Sequence, residues 1–285
     1  MAEKLSSKIV ELLPWLDGLA DTVGNALDPV LGPKGPKSLQ DALNGVWFGH
    51  PLHPAVVVLP LGAWTSMALL DLAGLEEAAD LNLKVGLLGA VGAAATGAAQ
   101  WQDARQADKP RRVGILHATL NIIATVLVAL SWLLRARGAR RPGVALSTIG
   151  VSISAFSAWL GGDLAYDLGI GVNHTAFEQP PTEWTEALDA ADLVEDKPMR
   201  VIVAGAPVMV LRQGSQIYAI SATCSHLGGP LEEGQITADT VTCPWHGSTF
   251  CVRDGALLHG PATVAQPAYD VRETDGKISI KAQSA

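Results

Sequence analysis

Hydrophobic and polar positions divide the chain into three regimes. Between residues 52 and 164 apolar residues run almost without interruption, and four stretches, 55–75, 83–101, 113–134 and 144–164, approach or exceed the roughly 20 helical residues that a hydrocarbon core of about 30 Å requires. The stretch ILHATLNIIATVLVALSWLL carries no charged residue and no polar face, so it reads as a membrane helix and not as a buried helix of a soluble bundle. From Arg200 onward the pattern becomes short alternating runs, RVIVAG, PVMVLRQ, QIYAIS, DTVTC and KISIKA, separated by Gly, Pro and Asp, which predicts antiparallel strands. Ahead of the spans, Leu5, Ile9, Leu12, Leu16, Leu19, Val23 and Leu27 recur at helical intervals with Asp and Glu between them, predicting an amphipathic helix broken near Pro14. Its acidic residues favour packing on protein over anionic lipid. GPKGPK, residues 32–37, reads as a turn or short linker.

The expected fold is therefore multidomain, an all-α four-helix transmembrane bundle followed by an all-β domain. The expected segments are an amphipathic N-terminal stretch at 1–45, a four-span membrane domain at 46–168, a linker at 169–182 and the β domain at 183–285. Composition agrees, with 48% hydrophobic and only 17% charged residues among 285. A net charge of −8 without a cluster of Lys and Arg excludes a nucleic-acid partner. Short connections imply an up-down-up-down bundle, which brings both flanking segments to one membrane face. That face holds Lys4, Lys8, Lys34, Lys37, Arg105, Lys109, Arg111 and Arg112, against Lys84, Arg135, Arg137, Arg140 and Arg141 on the other. The imbalance points to a cytoplasmic β domain in a multi-pass protein of the inner (cytoplasmic) membrane. Glu3, Glu11, Asp17 and Asp21 interrupt any apolar secretory signal, which carries the same expectation.

Within the β region, CSHLGGPLEEG and CPWHGSTF give Cys224-x-His226 and, sixteen residues later, Cys243-x-x-His246. Two thiolates and two imidazoles would satisfy tetrahedral zinc, although zinc sites more often begin with paired cysteines. The two motifs, their spacing and the later Gly-Pro-Ala at 260–262 resemble the Rieske [2Fe-2S] family over about the last hundred residues. The resemblance implies that Cys224 and Cys243 ligate one iron and His226 and His246 the other. It further implies that Gly228, Gly229 and Gly247 let the backbone approach the cluster, and that Pro261 belongs to a covering loop. The high-potential branch of that family adds a disulfide and donates serine and tyrosine hydroxyls. Here Gly229 and Trp245 stand at the disulfide positions, Ser248 retains the serine and Phe250 replaces the tyrosine, as in a ferredoxin-like member. The resemblance therefore implies a potential in the lower part of a range of roughly −150 to +300 mV. Cys251 reads as a small apolar strand residue and His259 as a loop residue facing solvent.

Four histidines remain outside the β domain: His50, His53, His117 and His174. Ionisable residues within spans default to a functional reading. His53 opens the first span and His117 lies one turn into the third, so in an antiparallel bundle they face each other diagonally, and two such imidazoles can ligate haem b axially. His50 and His174 are the alternative haem ligands. The small residues Gly86, Gly89, Ala93 and Gly97 give the second span a flat face that admits a neighbouring helix or a porphyrin. A quinone head-group site without haem, or interfacial histidines at a proline-marked helix start, are the other readings. GHPLHP, PLGAW and WLGGDLAYDLGIGV resemble an uncharacterised bacterial four-span membrane family sometimes joined to Rieske domains.

The expected function is a membrane-anchored electron carrier. A cytoplasmic redox enzyme, such as an uptake hydrogenase or another dehydrogenase, would reduce the [2Fe-2S] cluster, and the electron would pass, with or without haem b, to quinone in the lipid bilayer. The chain is expected to be an electron-transfer subunit, alone or as an oligomer, more than a stand-alone enzyme. The alternative is a Rieske ferredoxin for an oxygenase, with the spans as anchor only. A redox sensor is a third reading, without a recognisable output module.

Overall fold

A computed structural model of the protein describes residues 4–283. In chain order the helices are α1 (Leu5–Glu11), α2 (Trp15–Leu31), α3 (Lys37–Asn44), α4 (Leu52–Val56), α5 (Val58–Leu72), α6 (Glu76–Ala104), α7 (Asp108–Ala136) and α8 (Arg140–Tyr166). Ten strands follow: β1 (Thr185–Asp189), β2 (Met199–Val203), β3 (Ala206–Gln213), β4 (Gln216–Ser221), β5 (Gln235–Thr237), β6 (Thr240–Thr242), β7 (Thr249–Cys251), β8 (Leu257–His259), β9 (Ala268–Thr274) and β10 (Lys277–Ala282). They form two compact units. Among the described residues, the first holds 4–36 and 51–170, the second 37–50 and 171–283. Residues 37–50, which the hydrophobic pattern divides between the amphipathic stretch and the membrane domain, thus group with the strands.

In the helical unit, four helices are long and apolar enough to cross a membrane: Leu52–Leu72, Glu76–Ala104, Asp108–Ala136 and Arg140–Tyr166. Pro51 and Pro54 set the start of the first, where missing amide protons cost nothing. Pro60 cannot donate to the Val56 carbonyl, which accounts for the break between α4 and α5 at Val57. Helix α5 packs on α6 and α7 on α8, with α6 against α7 and α5 against α8 closing the ring. Leu59, Leu69, Leu88, Val91, Ile122, Val126 and Ile149 point outward, as a lipid-facing surface requires.

The flat face of α6 is filled by its neighbour. A Cβ at Gly86 would lie 2.2 Å from the Trp64 indole, at Gly89 2.8 Å from Pro60, and at Gly97 2.8 Å from the His53 ring. Helix packing, one of the two readings of this face, therefore accounts for these small residues.

One end of the bundle is closed by charge. Arg135, its side chain 1% exposed, grips Asp71 at 2.6 and 3.0 Å and Asp80 at 2.9 Å, with Ser131 and Ser147 taking its remaining donors. Arg140 joins through Asp71 and Glu76. Buried charges persist only when paired in this way.

Chain breakage at Pro14 produces α1 and α2 as the pattern predicts, and both pack against α7 through Val10, Leu16, Ala20, Val113 and Leu116. Asp17 bonds both Arg112 and Arg111, and the Arg112 hydrogen bond holds its carboxyl below the usual range. The amphipathic stretch is thus protein-packed, on the helical bundle.

The second unit is antiparallel throughout. A six-stranded sheet has the order β1-β10-β9-β4-β3-β2 and a four-stranded sheet the order β5-β6-β7-β8. One core, with Met209, Ile220, Leu231, Val241 and Phe250, reaches up to Cys224 and Cys243. A second, with Val208, Val210, Tyr269, Ile278 and Ile280, fills the far end. Helix α3 buries the polar side chains of Gln40 and Asn44 and is followed by a 3₁₀ turn, Val46–Phe48.

Candidate metal centre

Two loops of the β unit carry the Cys/His motifs, one between β4 and β5 and one between β6 and β7. They fold alike although their sequences differ. In the first, the Cys224 amide donates to the Gly229 carbonyl and the Gly228 amide to the Cys224 carbonyl, at 2.8 and 2.9 Å. In the second, Cys243 donates to Ser248 and Gly247 to Cys243, at 2.8 and 3.1 Å. Gly228 and Gly247 both turn back at φ near +77° and +78°, a region costly for any residue with a Cβ. The repeated turn aims one Cys and one His from each loop at a common place.

The side chains pair like with like. Cys224 and Cys243 are both buried free thiols, and their mutual interaction lowers the pKa of Cys243 while raising that of Cys224. The His226 and His246 rings lie 5.0 Å apart at 86°, half-buried and nearer the surface than the sulfurs. Among the described residues no group of three His, Cys, Asp or Glu side chains converges on one metal position. Two thiols inside and two imidazoles outside, two donors per metal, fit a binuclear cluster.

A further observation fits the cluster. His226 Nδ1 is buried with no hydrogen-bond partner, and a buried ring nitrogen left unsatisfied is costly unless an electrophile takes its lone pair. Burial, with His246 and then His174 beside it, pushes the His226 pKa down to about 3, so the ring is neutral and able to ligate.

The residues around the donors follow the motif reading in part. A Cβ at Gly229 would lie 2.8 Å from Cys243 Sγ and 3.1 Å from the Trp245 indole, so the tryptophan covers the glycine where other members place a disulfide. Cys224, Cys243 and Cys251 are all free thiols. Ser248 is fully buried, acts to lower the Cys224 pKa, and accepts the Ala262 amide on its Oγ at 2.9 Å. Pro261 follows Gly260 through a cis peptide in the loop beside it. His259 is exposed, as expected, yet faces Asp41 of α3 at 2.9 Å, a contact no local pattern announces.

The remaining histidines separate into two places. In the helical unit the His53 and His117 rings lie 6.4 Å apart at 85°. His53 Nδ1 faces the Ala93 carbonyl at 3.0 Å and Thr96 Oγ1 at 3.3 Å. His117 Nδ1 donates to the Ser157 carbonyl at 2.8 Å, while Asn121 Nδ2 approaches His117 Nε2 at 3.2 Å. His174 belongs instead to the β unit, where its amide donates to the Ser225 carbonyl and its ring lies by Gly228. His50 also groups with that unit and packs on Phe48 with ring centres 4.4 Å apart. The structure therefore brings together only His53 and His117 in the bundle. After α8 the chain turns at Gly169 and Gly171, both at positive φ, before reaching His174.

Residues 183–270 match the Rieske [2Fe-2S] domain, and residues 49–174 match DUF2231, a predicted membrane protein family. Ferredoxin CarAc of Metapseudomonas resinovorans is 34% identical over 98 residues, which cover 34% of this chain and 92% of that protein. The anthranilate 1,2-dioxygenase ferredoxin subunit of Burkholderia cepacia is 30% identical over 34% of this chain and 91% of that protein. Among solved structures, the ferredoxin of carbazole 1,9a-dioxygenase from Nocardioides aromaticivorans IC177 is 32% identical, covering 35% of this chain and 98% of its own, with a TM-score of 0.34.

Proposed function

Because the chain belongs to the Rieske [2Fe-2S] family through residues 183–270, joined to a DUF2231 membrane domain, we propose that it is a membrane-anchored one-electron carrier. Cys224 and Cys243 hold the inner iron of its cluster, and His226 and His246 the outer one. The cluster supplies reversible one-electron chemistry when bound. The chain's own residues keep water from the sulfurs, hold the His226 imidazole neutral, and present both rings toward the surface where a donor or acceptor approaches.

The single observation that carries this reading is the pairing of buried thiols with half-buried imidazoles, one of which has an orphaned Nδ1. The missing disulfide and the phenylalanine at 250 support a low-potential, ferredoxin-like member. Lys and Arg counts support a cytoplasmic β domain in the inner membrane, reduced there by a cytoplasmic redox enzyme such as an uptake hydrogenase or another dehydrogenase.

The electron would leave through the bundle toward quinone; haem b, were it bound there, would be held by His53 and His117, whose rings lie 6.4 Å apart, and would supply a further one-electron carrier. Each Nδ1 rests on a backbone carbonyl, which leaves the Nε2 lone pair as ligand, with Asn121 giving way at His117. A bare ion would need further protein donors, whereas a porphyrin brings four nitrogens of its own.

A second reading is favoured by relatives such as the anthranilate 1,2-dioxygenase ferredoxin subunit: a membrane-tethered ferredoxin feeding an oxygenase. Visible spectra of detergent-purified protein, oxidised and dithionite-reduced, separate the two. A sharp reduced α-band and extractable porphyrin, lost in His53→Ala, support the route through the bundle. Iron and sulfide in equal amounts with no porphyrin leave the ferredoxin reading standing and end the haem route. Absence of both iron and sulfide overturns the carrier itself.

A further inference from the structure

Helix α3 lies outside both matched stretches, yet within the β unit it reaches the loop beside the cluster ligands. Asp41, one-fifth exposed, accepts the Gly260 amide at 2.8 Å on Oδ1 and faces His259 Nδ1 at 2.9 Å on Oδ2. Val46 of the following turn sits where a Cβ at Gly260 would meet it at 2.7 Å, so the same short segment backs the loop from two sides. Two residues on, the Ala262 amide donates to Ser248 Oγ at 2.9 Å, in a fully buried contact. A serine oxygen that accepts an amide proton keeps its own proton for another acceptor, and Ala262, whose amide it holds, packs in one buried cluster with Cys224 and Cys243. The contacts thus run from a carboxylate on α3 through the 260–262 loop to a buried serine hydroxyl and the core that holds both cysteines.

We propose that Asp41 is a positioning residue for the iron-sulfur centre, holding the 260–262 loop so that Ser248 donates to Cys224 and raises the reduction potential of the cluster. The inference rests on the assignment of the cluster to Cys224, His226, Cys243 and His246. A hydrogen bond onto a ligand sulfur withdraws electron density and favours the reduced state. The negative charge of Asp41 acts in the opposite sense, so charge and positioning separate by substitution. Asp41→Asn keeps an oxygen acceptor for Gly260 and removes the charge, whereas Asp41→Ala removes both.

The test is an optically or EPR-monitored redox titration of the purified full chain, with iron and sulfide measured on every variant. Asp41→Asn titrates at or slightly above the wild-type midpoint. Asp41→Ala, at the wild-type midpoint potential, shows a ratio of reduced to oxidised cluster about three- to tenfold lower, where tenfold corresponds to about 59 mV for one electron. Ser248→Ala falls at least as far, and the double variant falls no further than Ser248→Ala alone, the signature of two residues acting through one bond. If Asp41→Ala does not accumulate, Asp41→Ser, too short to bridge both partners, is read in the same way. Equal midpoints for the Asn and Ala variants, or full additivity with Ser248→Ala, overturn the inference while leaving the cluster assignment intact. A wild-type protein without iron and sulfide overturns both.

Discussion

The molecule holds two pairs of imidazoles set almost at right angles, and they differ in what their nitrogens already do. His226 and His246 sit on loops, 5.0 Å apart, and the buried Nδ1 of His226 has no partner. His53 and His117 sit on helices, 6.4 Å apart, and each Nδ1 is occupied by a carbonyl of the neighbouring helix. The first arrangement is unstable as an apo site, because an unsatisfied buried nitrogen costs about 1–3 kcal/mol. The second is satisfied as it stands, and so can serve helix packing whether or not a ligand joins it. An orphaned atom is therefore stronger evidence for a bound group than a favourable distance is.

The sharpest way to break that comparison is to remove one ring from each pair. His226→Ala is expected to abolish the cluster, with iron and sulfide falling to background in metal analysis. His53→Ala is expected to leave iron-sulfur content unchanged and to remove only a haem α-band. If His53→Ala empties the cluster as well, the two sites are not independent and the contrast fails. If His226→Ala retains stoichiometric iron, the ligand assignment fails.

The two sites were not equally legible in the sequence. Cys224, His226, Cys243 and His246 announce themselves because loop ligands come in fixed short spacings with glycines beside them, and the repeated turns at Gly228 and Gly247 make that spacing a geometric necessity. Four spans, the break at Pro14 and the switch to strands also follow from period alone. His53 and His117 required a topology before they could be paired, since sixty-odd residues separate them and only the diagonal packing of the first and third spans brings them close. What the pattern misses has a common cause. Asp41 on His259, Arg135 on Asp71 and Trp64 on Gly86 are contacts between elements distant in sequence, where neither partner carries a local signature. The same blindness leaves two readings of the small face of α6, a neighbouring helix or a ligand, when its space is taken by Trp64, Pro60 and His53.

Glycines beside each pair offer a graded test. Gly229→Ala puts a methyl 2.8 Å from Cys243 Sγ in a rigid loop, and is expected to lower cluster occupancy several-fold by iron analysis. Gly97→Ala puts one 2.8 Å from His53 Cε1 and 3.0 Å from its Nδ1, which displaces the ring and costs about 1–3 kcal/mol in thermal stability. At Gly161 the approach to His117 is 3.2 Å, and the gain in helix propensity of roughly 0.5–1 kcal/mol offsets the crowding, so Gly161→Ala is expected to be close to neutral. An order in which Gly161→Ala is the worst of the three would mean that His117, and not His53, is the rigid member of its pair.

The smallest expected effect bears on why the cluster pair is tuned low. Phe250 is fully buried in the core that also contains Cys224 and Cys243, paired with Val241 on β6 and Leu257 on β8. Phe250→Tyr adds one hydroxyl at the position where high-potential relatives carry it. Two consequences compete. If the hydroxyl reaches a ligand sulfur, it supplies a second donor beside Ser248, and the midpoint rises by less than about 59 mV, a tenfold change in the reduced-to-oxidised ratio. If it does not, an unsatisfied buried hydroxyl destabilises the domain by about 1–3 kcal/mol with no change in potential. The shared core with both cysteines favours the first, so the expected result is a raised midpoint with little loss of thermal stability. A destabilised variant titrating at the wild-type potential would mean that this position tunes packing here, leaving Ser248 as the one hydroxyl of the two that tunes the cluster.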